Sequence, residues 1–363
     1  MKLLLALALA VSAGDAARLP PAPIKRWTLA WQKSLVTPSP LEFKPREVGG
    51  PTIDDASGMV VVGTRDGFLH AIDQDGIRAW DFKTGGRIEA APAVFDDLVL
   101  TGSSDGRLYA VEMGSGRLRW SYDALEEVGT TPVVADGVVV VMTLQDSLVG
   151  VDAKTGTWKW RHRREGKEGF TIRGAANAAV VSGLAVGAYS DGTVAAVDLQ
   201  TGTVRWERRV APQGDFMDVD GLRADGSRLY VAAYSGVVQA LDAQTGKELW
   251  SVKAPAACRV AVGGGMVVAV TATQVVGLSA PDGKARWTVP LAGEPAGAPV
   301  LVSASGIRAA VPNGRGLLYI DVMAGRLLRT FDPGTGVSAA PAVRGKRAYV
   351  LSNGGELIAL DFV

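Results

Sequence analysis

Two short stretches carry the residue types from which a recognition site is built. Phe170-Thr-Ile172-Arg173-Gly174 sets two large apolar side chains beside a guanidinium, and Asp218-Val-Asp220-Gly221 sets carboxylates two positions apart. Arginine and aromatic residues anchor protein interfaces, and a guanidinium facing carboxylates makes charge-assisted hydrogen bonds. Phe170, Ile172 and Arg173 follow Trp160 by 10, 12 and 13 residues, while Asp218 and Asp220 follow Trp206 by 12 and 14. Equal offsets in adjacent copies of a repeat are equal places in space, so the two stretches are expected side by side. Chemistry alone leaves two roles open. Phe170, Ile172, Arg173, Asp218 and Asp220 could bind a partner, or Arg173 could pair internally with Asp218 or Asp220 and pin the loops.

Catalytic and metal chemistry is thinly represented. Asp215-Phe-Met-Asp218-Val-Asp220-Gly221 has the look of a calcium loop, but an EF-hand register begun at Asp218 puts Leu222 and Leu229 at ligand positions. His70 and His162 stand in different copies of the repeat, without the spacing of a zinc site. The run Arg161-His162-Arg163-Arg164 reads as a solvated strand end. Cys258 is the only cysteine, which excludes an intrachain disulfide and suggests a buried, inert thiol. No catalytic residue, cofactor or metal ligand is therefore assigned.

The elements that must position these residues repeat. The fullest copy is Val194-Ala-Ala-Val-Asp198-Leu-Gln-Thr201-Gly202-Thr-Val-Arg-Trp206: an alternating apolar run, an Asp, a Thr-Gly turn and a Trp. Successive tryptophans at 80, 120, 160, 206, 250 and 287 are 37 to 46 residues apart, and a seventh copy ends at Arg329. A period of about 40 to 50 residues is that of propeller blades. Within a unit the apolar period is two, which predicts strands with alternate faces buried. From Thr130, one unit divides into four antiparallel strands, with turns at Asp136-Gly137 and Lys154-Thr-Gly156. A small residue and a proline precede the first strand at Gly50-Pro51, Ala91-Pro92, Thr131-Pro132, Ala298-Pro299 and Ala340-Pro341, as crowding near an axis demands. The tryptophans are expected to wedge between blades, and the aspartates to cap the turn through their backbone N–H groups.

The chain ends in Glu356-Leu-Ile-Ala-Leu-Asp361-Phe-Val363, half a phrase without its Trp strand, and Arg26-Trp-Thr-Leu-Ala-Trp31 supplies the other half. Pairing them closes the ring and removes open sheet edges. The expected fold is an all-β, eight-bladed propeller occupying residues 14–363 as a single domain. Residues 1–13 read as a secretory signal peptide, one lysine followed by a short apolar run ending in Val11-Ser-Ala13. A net charge of +1, from 38 basic and 37 acidic residues, gives no whole-chain field for nucleic acid.

The repeated Asp-x-x-Thr-Gly-x-x-x-Trp resembles that of quinoprotein-type (PQQ-like) propellers and covers nearly the whole mature chain. More narrowly, Phe170-Thr-Ile-Arg-Gly174 followed by Asp218-Val-Asp220 and Ala232-Ala-Tyr234-Ser-Gly236 resembles the BamB family. The resemblance implies a non-catalytic periplasmic scaffold assisting β-barrel assembly into the outer membrane. It also implies a BamA-like partner, bound through Phe170, Ile172, Arg173, Asp218 and Asp220. Exposed strand edges would suit unfolded outer-membrane protein strands as well. Two departures stand out: no lipobox cysteine lies near Ala13, which implies a protein soluble in the periplasm or held there by its partner, and Gly221 is followed by an inserted Arg223-Ala-Asp-Gly226 loop. Two other readings remain. One is a generic secreted propeller with an unrelated ligand. The other is a quinone-dependent dehydrogenase, a class marked by vicinal cysteines and a calcium site with a catalytic Asp.

Overall fold

The computed structural model describes residues 27–37, 46–164, 176–211, 218–291, 293–303 and 306–362. The expected signal peptide lies outside them. Eight four-stranded antiparallel sheets form the blades of a β-propeller. Blades 1 to 7 are continuous in sequence, at residues 52–83, 93–123, 133–163, 179–209, 219–253, 259–290 and 300–331. Blade 8 joins Ala342–Arg344, Arg347–Leu351 and Glu356–Phe362 to Trp27–Ser34 from the other end of the chain. Trp31 stands opposite Ala359, so the N-terminal strand supplies the outer edge that the C-terminal half lacks.

Blade 3 shows how the phrase folds. Val133–Ala135 turns into Val138–Met142 through Asp136 and Gly137, both at positive φ (47° and 75°), the geometry of a two-residue hairpin that matches strand twist. Ser147–Asp152 and Trp158–Arg163 complete the sheet. The Asp152 carboxylate accepts bonds from Lys154 N, Thr155 N and Thr155 Oγ1 at 2.9–3.1 Å, capping the Thr-Gly turn. Asp198 does the same for Gln200 and Thr201. Its salt link to Arg205 and these bonds hold its pKa down to about 2.

The central strands depart from the expected alternation. All five residues of Val138–Met142 are buried, as are those of Leu184–Ala188 and Met266–Val270. Each blade is packed on both faces by its neighbours, so its middle strands have no solvent side. Alternation survives in outermost strands such as Val204–Arg209. The apolar cores accordingly lie between blades: Leu100, Ala110 and Trp120 of blade 2 cluster with Val139, Val141 and Val149 of blade 3.

The tryptophans lock these interfaces. Every outer strand pair contains a register shift beside the phrase's Trp or its Arg329 equivalent, as at Gly150–Trp160 followed by Val151–Trp158. Such a bulge bends the strand locally and re-aims its side chains. Each indole N–H then donates to a carbonyl of the next blade: Trp160 to Leu199 at 2.8 Å, Trp206 to Ala243 at 3.0 Å, Trp250 to Ala280 at 2.9 Å. The ring lies over the turn glycine of that blade. A Cβ on Gly202, whose φ is +71°, would come within 2.6 Å of Trp160. Burying one such ring contributes about 4–6 kcal/mol of gross apolar transfer. Where blade 7 carries Arg329 instead, Trp27 of blade 8 packs back on Tyr319, ring centroids 5.4 Å apart.

Candidate partner-binding site

Phe170, Ile172 and Arg173 fall in residues 165–175, outside the described residues. The flanking positions locate the connection: Arg164 follows the outermost strand of blade 3, and Ala176 precedes Ala179–Val181, the innermost strand of blade 4. Asp218 stands at the equivalent connection one blade on, directly before Val219–Asp225, the innermost strand of blade 5. The two stretches thus belong to adjacent inter-blade connections, as their offsets from Trp160 and Trp206 require.

Blade 5 breaks the repeat at this point. Its innermost strand has seven residues, against two to five in the other blades. Val219 pairs with Ala233 and Gly221 with Ala232, leaving Asp220 as the extra residue of a β-bulge. Among the described residues no other innermost strand pair carries one. Gly221 fits because a Cβ there would stand 3.1 Å from Val260 Cγ2 of blade 6.

Both carboxylates are nearly covered, Asp218 at 6% and Asp220 at 4% exposure. Arg259, in the innermost strand of blade 6, holds the bulge: its Nη1 donates to the Asp220 carbonyl at 3.2 Å and lies 3.7 Å from Asp220 Oδ2. The Asp218 carbonyl accepts Tyr234 N at 2.9 Å. The backbone at these positions is thus held by Arg259 and Tyr234, and the Asp220 carboxylate adds a charge contact to Arg259. Arg259 escaped the sequence reading, although one signal pointed there: blades 4 to 6 lack the small-Pro pair that precedes the other innermost strands.

The stem of the 165–175 connection is also braced. Arg164 bridges Asp191 (3.1 Å) and Glu207, and His162 lies between the Tyr189 hydroxyl (2.6 Å) and Glu207 (3.3 Å). Asp146, at positive φ, accepts bonds from Ser190 N and Oγ, tying blade 3 to blade 4. His162 and Arg164 thus enter an inter-blade ionic lattice with acids of blade 4, whereas Arg163, mostly exposed and 3.6 Å from Glu126, keeps the solvated character expected of the run. Burial lowers the His162 pKa and raises that of Asp146. Cys258 is buried, its Sγ 3.6 Å from the Val270 carbonyl. Among the described residues no three His, Cys, Asp or Glu side chains converge as a metal site would require.

These features define a closed eight-bladed propeller of the tryptophan-docked, quinoprotein type, whose innermost strands break register at blade 5. The family profile described as outer membrane protein assembly factor BamB matches residues 65–224, 218–305 and 273–363, and the chain belongs to that family. The outer membrane protein assembly factor BamB of Moranella endobia is 26% identical over 301 residues, covering 71% of this chain and 77% of the relative. That of Burkholderia pseudomallei is 26% identical over 346 residues, covering 90% and 85%. The crystal structure of BamB from Moraxella catarrhalis superposes with a TM-score of 0.78 at 19% identity, covering 93% of this chain and all of that one, a likeness of fold.

Proposed function

We propose that this protein is a non-catalytic periplasmic scaffold that assists β-barrel assembly into the outer membrane by docking a BamA-like partner. Phe170, Ile172 and Arg173 supply the apolar and cationic anchors, and Asp218 and Asp220 the acidic side of the site. Residues 1–13 deliver the chain to the periplasm as a cleaved signal peptide. Among the described residues no helix is long and apolar enough to cross a membrane. The observation that carries the reading is the bulge at Asp220. In a ring where other innermost pairs keep register, blade 5 alone among the described residues breaks it, one connection away from the Phe-x-Ile-Arg stretch. Bulges re-aim side chains where function requires it. Family membership supports the same role.

The test is affinity purification from the native envelope with wild type and Arg173→Glu, each checked by thermal melting. A BamA-like protein should accompany wild type and be lost from Arg173→Glu without a change in melting temperature. Equal recovery from both would remove the site assignment. Asp218→Arg with Asp220→Arg should also abolish capture, but it reverses buried charges and strands Arg259, so the Arg173 variant decides.

A further inference from the structure

The innermost strands and the loops entering them enclose a central cavity of about 820 Å³, within the usual range of ligand sites. Among the described residues its wall carries six charged side chains: Arg46, Glu89, Asp220, Arg223, Arg259 and Glu294. Five are matched. Arg46 meets Glu294 at 3.0 Å, Arg259 stands 3.7 Å from Asp220, and Glu89 has Arg87 at 4.0 Å. Arg223 differs. Its Nη1 donates to the carbonyl of its own neighbour Leu222 at 2.8 Å, and no carboxylate among the described residues lies within ion-pair distance. The charged group that influences it is a second guanidinium, Arg259, and burial together with that like charge pushes the Arg223 pKa down.

Geometry explains how two cations came together. Gly221 lets the innermost strands of blades 5 and 6 approach closely, and Arg223 and Arg259 project from these two strands onto the same cavity wall. Arg259 is fixed by the carbonyls of Asp220 and Cys258, at 3.2 and 3.0 Å. A guanidinium has five N–H donors in a planar fork suited to carboxylate and phosphate. A partly buried pair of cations facing one carboxylate carries an excess charge that an anion would relieve.

We propose that Arg223 and Arg259 form an oxyanion site on the channel wall, taking the carboxylate or phosphate group of a small molecule that enters the cavity. The full chain is titrated with inorganic phosphate and, separately, with citrate at constant ionic strength, chloride serving as the control. Binding is read by calorimetry and thermal shift. A saturable response to either probe and none to chloride is expected, and the probe that responds tells phosphate from carboxylate recognition. Arg223→Gln should weaken that affinity about tenfold or more. Arg223→Lys, which keeps the charge but loses the fork, should weaken it less, and it decides the matter if the Gln variant does not fold. Wild type without a saturable response to either probe, or variants that bind as tightly as wild type, would overturn the proposal.

Discussion

Replacing Gly202 with alanine should damage the interface between blades 3 and 4 in two separable ways. An L-residue at φ +71° costs about 1–2 kcal/mol by itself. The added Cβ would also stand 2.6 Å from Trp160 Cβ and Cγ, against the roughly 3.5–4.0 Å of a relaxed contact. Overpacking of that kind costs about 1–3 kcal/mol, so Gly202→Ala should destabilise by about 2–5 kcal/mol. Gly137 is the control: its φ is +75° and a Cβ added there would meet nothing within 4 Å, so Gly137→Ala carries the backbone penalty alone. Trp160→Ala, at a residue only 3% exposed, should cost about 3–5 kcal/mol and forfeits the bond to Leu199. In the double variant the steric part disappears. Urea unfolding of the four proteins should then give a coupling energy of about 1–3 kcal/mol between positions 160 and 202. A Gly202→Ala cost no greater than that of Gly137→Ala, or the same cost with and without Trp160, would refute the ring-on-glycine account.

Glu47 is fully buried against Arg65, and its pKa is pushed up to about 7 because desolvation outweighs the bonds from Arg65. A carboxyl raised in the folded state stabilises most below its unfolded pKa of 4.5, and that stability is lost as pH rises through 7. The contribution of Glu47 to the unfolding free energy should therefore fall by about 2–3 kcal/mol across that window, so Glu47→Gln should flatten the pH slope relative to wild type by that much. Arg164→Ala leaves Asp191 and Glu207 unbridged and should increase hydrogen exchange in Trp158–Arg163 while weakening capture of the partner; unchanged exchange would show that the bridge does not brace the stem. Removing residues 27–34 strips the outer edge of blade 8 and should yield aggregate, whereas a soluble truncation with unchanged melting would contradict closure by the N-terminal strand.

The ring was legible because its rules are local and repeated. The Asp-Thr-Gly-Trp phrase contains its own turn, its cap and the ring that docks on the next blade, so spacing alone gave eight blades and the joining of Trp31 to the last half-phrase. What escaped were the contacts between blades that the repeat does not carry. The unbroken apolar run of Val138–Met142 is what a strand covered on both faces requires, and a reading by period two passed over it because the cover comes from neighbouring blades distant in sequence. Arg259 and the bulge at Asp220 are a contact between blades 5 and 6, and only the missing prolines of blades 4 to 6 hinted at it. The lattice around Arg164 was hidden for the same reason: the acids that turn a basic run into a brace are supplied by blade 4.

The central claim is that an assembly partner docks at the connections entering blades 4 and 5. It is tested most directly by the dissociation constant between the purified protein and the periplasmic domains of the BamA-like protein from the same organism, for wild type and Arg173→Glu. A hot-spot arginine is worth about 2 kcal/mol or more, so saturable binding weakened about thirtyfold or more by the substitution is predicted. Absence of binding by folded wild type, or equal affinity for both proteins, would contradict it.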